Sequence, residues 1–213
     1  ASALVFELSK VQATSIREAV LGQLRCVDES LAVRVAKGLN FKPLPKAAAL
    51  RTPLVDMPPS PAIQTVGKRV ATLKGRCVGI LIDDGTDAVL LQKQKTAITK
   101  AGAKLKLIAP KIGGVTLSDG VVQPVDGQLA GTPSVLFDAV VLLLDDGAGS
   151  RLATEAAAVD FVRDAFGHLK AIARDDGAQA VIAASVIDDD EFVSDATDVK
   201  LFIRNAAERC WER

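Results

Sequence analysis

Carboxylates are the commonest chemistry-bearing groups in this sequence. Four clusters, Asp83-Asp84, Asp145-Asp146, Asp175-Asp176 and Asp188-Asp189-Asp190, each follow an apolar run of strand length. In a parallel sheet the carboxyl ends of the strands share one edge, so the clusters are expected to form an acidic rim where open α/β sheets bind ligands. Such a rim can hold a hard cation such as Mg²⁺ or Ca²⁺ through carboxylate oxygens. Asp83, Asp84, Asp145, Asp146 and Asp188 are the candidate ligands. The competing explanation is helix capping, in which an aspartate accepts bonds from the free N–H groups of a first helical turn and complements its dipole. Nucleophiles and bases are few. Cys26, Cys77 and Cys210 are scattered without metal-type pairing and read as buried or partly buried free thiols. There is no tyrosine, and the single histidine, His168, reads as a surface or helix-end residue.

These residues need elements to position them. Residues 1–40 read as helical, since Thr14 or Ser15 can cap a helix carrying Ile16, Val20, Leu24 and Val27 at helical spacing. A second helix starts near Asp28, presents Leu31 and Val35, and stops at Gly38. Residues 41–67 hold Pro43, Pro45, Pro53, Pro58, Pro59 and Pro61 and are predicted to be an extended linker lying along a partner surface. From Lys68 onward apolar runs alternate with amphipathic stretches. Strands are expected at 78–82, 105–109, 139–144, about 169–173 and 180–187. Helices are expected at 87–101, near 151–166, from about 176, and at 197–213. Residues 115–129 read as a β-excursion turning at Asp119-Gly120 and Asp126-Gly127. The alternation predicts an α/β fold with right-handed crossovers and a doubly wound parallel sheet.

Composition narrows the function classes. Lys plus Arg and Asp plus Glu both number 26, so no overall field draws the chain to nucleic acid or to an anionic membrane. No apolar run reaches membrane-spanning length, and no basic-then-apolar signal pattern opens the chain. The first residue is Ala1 rather than methionine, which reads as a fragment and leaves the compartment open. An intracellular location fits the free thiols best.

Specific stretches carry a family resemblance. Phe6-Glu7-Leu8-Ser9-Lys10-Val11, Ile16-Arg17-Glu18, Val27-Asp28-Glu29-Ser30-Leu31-Ala32 and Val35-Ala36-Lys37-Gly38-Leu39 resemble the helical tail of catalase cores. Ile108-Ala109-Pro110-Lys111, Gly114-Val115, Ser118-Asp119-Gly120 and Val125-Asp126 resemble an excursion of the ThiJ/PfpI superfamily, with Ala109 where that pattern has serine. Asp138-Ala139-Val140-Val141 is similar to the strand leading to that superfamily's Pro-Gly-Gly turn. The whole resembles the C-terminal region of a large-subunit haem catalase. It implies a helical segment at 1–40, a linker at 41–67 and a flavodoxin-like domain at 68–213.

The resemblance also says which reactive positions are altered. The superfamily's nucleophilic cysteine and following histidine fall in Lys170-Ala171-Ile172-Ala173-Arg174-Asp175-Asp176-Gly177, which has neither. The acidic partner of that cysteine corresponds to Asp87, and the oxyanion turn has become Asp145-Asp146-Gly147, where a carboxylate opposes developing negative charge. Asp87, Asp145, Asp175 and Asp176 are therefore read as degenerate catalytic positions. Asp83-Asp84-Gly85-Thr86 resembles the haloacid-dehalogenase Asp-x-Asp-Gly-Thr motif, but Ile82 stands where the nucleophilic aspartate belongs. Flavin is not expected either, since Asp83, Asp84 and Asp87 would repel its phosphate. Haem iron in catalases is held by tyrosine, which this chain lacks. The resemblance thus implies a non-catalytic domain that stabilises the subunit against a haem-bearing catalase core and neighbouring subunits. The alternative is a holdase-type chaperone for unfolded client proteins, with Ile16, Leu24, Leu31 and Phe41 as its adhesive surface.

Overall fold

Three short helices open the chain in the computed structural model: α1 (Ser2–Ser9), α2 (Thr14–Leu24) and α3 (Glu29–Gly38). The structure describes residues 1–49, 56–64, 68 and 70–211, and divides into two units, Ala1–Gln64 and Thr65–Arg213. In the first unit Leu8, Leu21, Val35 and Ala36 form a small core. Asp28 caps α3 as expected, its carboxylate accepting from the Leu31 N–H at 2.8 Å. Neither Thr14 nor Ser15 caps α2. Thr14 is already helical, and Ala13 is the cap residue, its carbonyl taking the first bonds from Ile16 and Arg17.

The chain then turns back over α2. Ala48 N–H donates to the Gly22 carbonyl at 2.9 Å, and Arg25 Nη1 donates to the Pro45 carbonyl at 2.7 Å. A β-carbon at position 22 would collide with the Lys46 carbonyl, so glycine is what lets the segment pass this close. The described residues of 41–64 carry neither helix nor strand. Pro53, within the expected linker, lies outside the described residues.

The second unit begins with β1 (Cys77–Ile82), α4 (Ala88–Lys100) and β2 (Lys104–Ala109). An excursion follows, in which β3 (Val115–Thr116) pairs antiparallel with β4 (Val122–Gln123) before β5 (Gly127–Gln128) joins β2 at the sheet edge. Then come β6 (Ala139–Leu143), α5 (Asp146–Leu152), α6 (Ala156–Gly167), β7 (Ala171–Arg174), α7 (Gln179–Ser185), β8 (Val193–Asp195) and α8 (Val199–Glu208). The sheet order is β5-β2-β1-β6-β7-β8, every pairing is parallel, and Ile80 stands opposite both Leu107 and Val141. This is a flavodoxin-like doubly wound α/β fold.

Alternation along the strands fills both faces. Val78, Ile80, Ile82, Val141 and Leu143 point into one layer with Leu91, Ile98 and Phe202. Leu81, Val140 and Leu142 point into the other with Leu152, Phe161 and Val181. All five residues of β6 are buried, and each buried Val or Leu side chain contributes on the order of 1.5–3 kcal/mol.

Three expectations about elements need correction. The apolar run 180–187 is a helix, α7, because its alanine-rich sequence buries Val181, Ile182 and Ser185 at helical rather than alternating spacing. The last strand is instead β8, three residues long. The helix expected near 151–166 is two helices: α5 starts at Asp146, and a turn around Thr154 separates it from α6. The closing helix ends at Glu208, where Arg209 adopts φ 67°, and residues 212–213 lie outside the described residues.

Candidate functional site

Ligands of doubly wound sheets bind beyond the carboxyl ends of the strands. Here that edge carries Asp83 and Asp84 after β1, Asp145 and Asp146 after β6, and Asp175 and Asp176 after β7. These strands are adjacent, so three of the four clusters do share an edge. The fourth does not follow a strand as expected, although Asp189 lies 3.9 Å from Arg174 Nη2 at the end of β7. Asp188, Asp189 and Asp190 follow α7 and precede β8, where the Asp190 carboxylate accepts from Phe192 N–H at 2.8 Å and shapes the entry to the strand.

The rim carboxylates have local partners. Asp83 is buried, accepts from the Asp84 N–H at 2.9 Å and forms an ion pair with Arg151 of α5. Its own N–H donates to Thr86 Oγ1 at 3.0 Å, and that hydroxyl donates onward to the Leu143 carbonyl at 2.7 Å. Asp84 accepts from the Thr116 N–H at 2.8 Å and lies 3.7 Å from Lys111 Nζ. The N–H of Gly85 donates to the Thr116 carbonyl at 2.8 Å, so the excursion is pinned to the β1–α4 loop. Gly85 has φ +86°, and a β-carbon there would strike the Asp145 carboxylate.

Three aspartates at this edge cap helical turns. Asp87 accepts from Leu90 N–H at 2.8 Å at the start of α4, and Asp145 accepts from Ala148 N–H at 2.6 Å at the start of α5. Asp175 binds two turns at once: its two oxygens accept from Leu144 N–H at 3.1 and 2.9 Å, and Oδ1 accepts from Ala178 N–H at 3.1 Å. Burial pushes this carboxyl up to about 6, opposed by those backbone N–H groups and reinforced by the charge of Asp176. Asp176 itself is fully exposed, 3.9 Å from Arg174 Nη1. Asp146 sits in the first turn of α5, where its charge complements the dipole. Among the described residues no group of three or more His, Cys, Asp or Glu side chains converges to hold a metal ion. Asp188 is exposed, and its neighbour Asp189 lies 3.9 Å from Arg174 Nη2.

Backbone geometry at the two turns matters for nucleophilic chemistry. A strand-to-helix elbow presents its nucleophile from a sharp, strained turn. Asp175 has φ −87° and ψ 177°, ordinary extended backbone, and neither Asp176 nor Gly177 has positive φ. Close packing fills the space above it: a β-carbon on Gly177 would collide with the Leu144 carbonyl, and one on Gly149 with the Gly177 carbonyl. His168 ends α6, its Nδ1 2.6 Å from the Asp164 carbonyl, as a helix-end residue should. Cys26 and Cys77 are partly buried and Cys210 is buried, none of the three in a disulfide.

Sequence reasoning missed Arg151, and it noted Thr86 only within a motif, not as the hydroxyl that joins β1 to β6. The cation that neutralises Asp83 sits on a different element, and no local spacing links the two. Elsewhere, an open and mainly apolar groove of about 820 Å³ runs along α4 and α8, with Val89, Ala97 and Val199 in its wall. No helix among the described residues is long and apolar enough to cross a membrane.

Comparison with known proteins agrees with this architecture. Residues 74–206 match the family described as the C-terminal domain found in long catalases. The chain is similar to Catalase C of Rhizobium meliloti, 45% identical over 174 residues, covering 81% of this chain and 24% of that protein. It is 32% identical over 218 residues to Catalase HPII of Pseudomonas aeruginosa, covering 100% of this chain and 30% of that protein. A third relative, Catalase HPII of Mycobacterium avium, is 35% identical over 80% of this chain and 24% of its own length. The chain therefore spans between about a quarter and a third of the curated relatives it matches. Fold, excursion and matched sequence converge, and the chain belongs to the family of C-terminal domains found in long catalases.

Proposed function

We propose that this chain is a non-catalytic domain of a large-subunit catalase, holding the subunit and its assembly together while a separate core decomposes hydrogen peroxide. The observation that carries the reading is the state of the carboxyl edge. Asp87, Asp145 and Asp175 cap helical turns through backbone N–H groups, and Asp83 is paired with Arg151. A well-packed fold whose usual ligand edge is committed to its own backbone supports a role in contact rather than turnover. Haem does not fit the residues present. Catalases hold the iron through tyrosine, none of the 213 residues is tyrosine, and His168 is engaged at the end of α6. The haem would belong to the catalase core, and that core and neighbouring subunits would be the partners. The test is removal of residues 68–213 from the full-length catalase. Lower thermal and denaturant resistance, with weaker assembly, is the expected result; unchanged stability and assembly would overturn the reading.

A holdase-type chaperone activity is the second reading. It is supported by exposed Phe6, Ile16, Val27 and Val33 on the helical unit. Of the surface expected from sequence, Leu24, Leu31 and Phe41 instead pack against that unit's core, leaving Ile16. Suppression of a client's heat aggregation at near-stoichiometric ratio, lost on Ile16→Ser with Val27→Ser, would support it. No suppression by the full chain would overturn it.

A further inference from the structure

Cations gather at one place on the amino-terminal side of the sheet. A cleft of about 260 Å³ opens there, lined by Arg76, Phe137, Asp138, His168, Lys170 and Arg209. Arg76 precedes β1, Lys170 precedes β7, and Arg209 follows α8, so three separate elements bring cations to one place. Each is positioned by the fold. Arg76 Nη1 donates to the Ala206 carbonyl at 2.6 Å, anchoring the guanidinium to the end of α8. Lys170 is buried, and its Nζ donates to the Ser134 carbonyl at 2.7 Å. Leu169, with φ 58°, and Arg209, with φ 67°, hold left-handed backbone at the two chain turns that deliver Lys170 and Arg209.

Among the described residues the lining is rich in cations. Asp138 is the lining carboxylate, and its Oδ2 already accepts from the Cys77 N–H at 2.9 Å. Arg209 makes no side-chain hydrogen bond or ion pair among the described residues. Burial pulls the Lys170 ammonium below its ordinary value and the like charge of Arg209 adds to that pull, while the charges of Asp138 and Asp164 oppose it. A guanidinium carries five donors in a fixed fork, so anchoring one nitrogen of Arg76 leaves donors for a ligand. Among the described lining residues Arg76 and Arg209 outnumber the Asp138 carboxylate, with Lys170 beside them, a balance that suits an anionic ligand. The cleft is smaller than a drug-sized pocket and suits a small ligand.

We propose that this cleft binds a small dianionic oxyanion of the phosphate class, as free phosphate or as the phosphoryl group of a small metabolite. The aspartates of the carboxyl edge disfavour such a group, whereas Arg76 and Arg209 at this cleft attract it. This site lies in the 65–213 unit and stands independently of the contact role proposed above.

The experiment titrates the full chain with inorganic phosphate, following melting temperature and heat of binding, with sodium chloride at matched ionic strength as the control. Phosphate should raise the melting temperature where chloride does not, with a dissociation constant of roughly millimolar or tighter. Arg209→Gln removes an exposed side chain without a partner among the described residues and should weaken phosphate at least about fivefold; Lys170→Met should weaken it further. Asp175→Asn, at the other edge, should leave it unchanged. Methyl phosphate in a second arm reports whether an esterified phosphoryl group is accepted, and succinate reports selectivity. Equal effects of phosphate and chloride would mean that the cations serve only the helix ends, and would overturn the site. Equal affinity for succinate would overturn its phosphate class, and undiminished binding by Arg209→Gln would overturn its location.

Discussion

Asp83 at the end of β1 and Arg151 in α5 form an ion pair whose two partners sit in different surroundings. The aspartate side chain is 2% exposed, whereas the guanidinium is 50% exposed and also bonds Glu155 at 3.1 Å. The pair ties the central strand to the helix behind the neighbouring strand. Removing Arg151 strands a buried carboxylate, which is more harmful than removing both charges. Arg151→Met should therefore destabilise the chain by about 2 kcal/mol, below the range for fully buried pairs because water reaches one side. Adding Asp83→Asn to it should recover a large part of the loss. Urea unfolding of both variants beside the unaltered chain checks this; equal losses in the single and double variants would show that the pair is not coupled.

Gly177 and Gly149 mark where the β6–α5 and β7–α7 turns touch backbone to backbone. A β-carbon at either would overlap a carbonyl oxygen, of Leu144 or of Gly177 respectively, and neither neighbour is a side chain able to swing aside. Gly177→Ala should lose about 2–3 kcal/mol, in the range of overpacked cores. Gly167→Ala is the matched control. It lies at the end of α6 with nothing within 4 Å, and should be neutral or slightly stabilising. If Gly177→Ala is as mild as Gly167→Ala, the carboxyl edge has room that the packing denies.

How much of this was legible in sequence depends on where each element gets its specification. The strands β1 and β6 could be read because both their faces are buried, which leaves an uninterrupted apolar run such as Ala139–Leu143. β8 could not, because three residues with one half-buried valine acquire strand character only by pairing with β7. The run forming α7 was ambiguous in itself: eight largely apolar residues fit a buried strand or a buried helix, and alanine content was the deciding signal. The Asp-Asp-Gly after β6 read as a turn, which concealed that Asp145 begins α5. The partners of the candidate residues were the least accessible. Asp83 meets Arg151 across 68 residues of sequence, and the cleft of Arg76, Lys170 and Arg209 assembles from the two ends of the domain.

Capping accounts for Asp145 and Asp87 without any ligand, and that account has its own consequences. Asp145→Ala and Asp87→Ala should each lose about 1 kcal/mol, the usual worth of an N-cap. Asn at either position should retain most of it, since its side-chain oxygen accepts the same bond. If the rim were instead a cation site, Ca²⁺ or Mg²⁺ at millimolar concentration would release heat and raise the melting temperature, and Asp145→Asn would abolish both effects. The expected calorimetric trace is flat for both ions.

Asp175 gives the rim a pH signature. Its carboxyl stands at about 6 in the folded chain against an ordinary 3.8, chiefly through burial. The folded protein therefore keeps a proton that the unfolded chain has released. The stability this proton confers is full below about pH 4 and is lost as pH rises through about 6. Asp175→Asn keeps an oxygen for the Leu144 and Ala178 N–H groups and carries no charge at any pH. Relative to the unaltered chain, the variant should gain stability between about pH 4.5 and about pH 7.5, on the order of 1–2 kcal/mol after allowance for partial solvation. Urea midpoints at four pH values across that window measure the difference, and other titrating groups cancel because both proteins share them. Parallel curves would mean that Asp175 titrates alike in the folded and unfolded states, and that burial at the β7–α7 turn does not set its protonation.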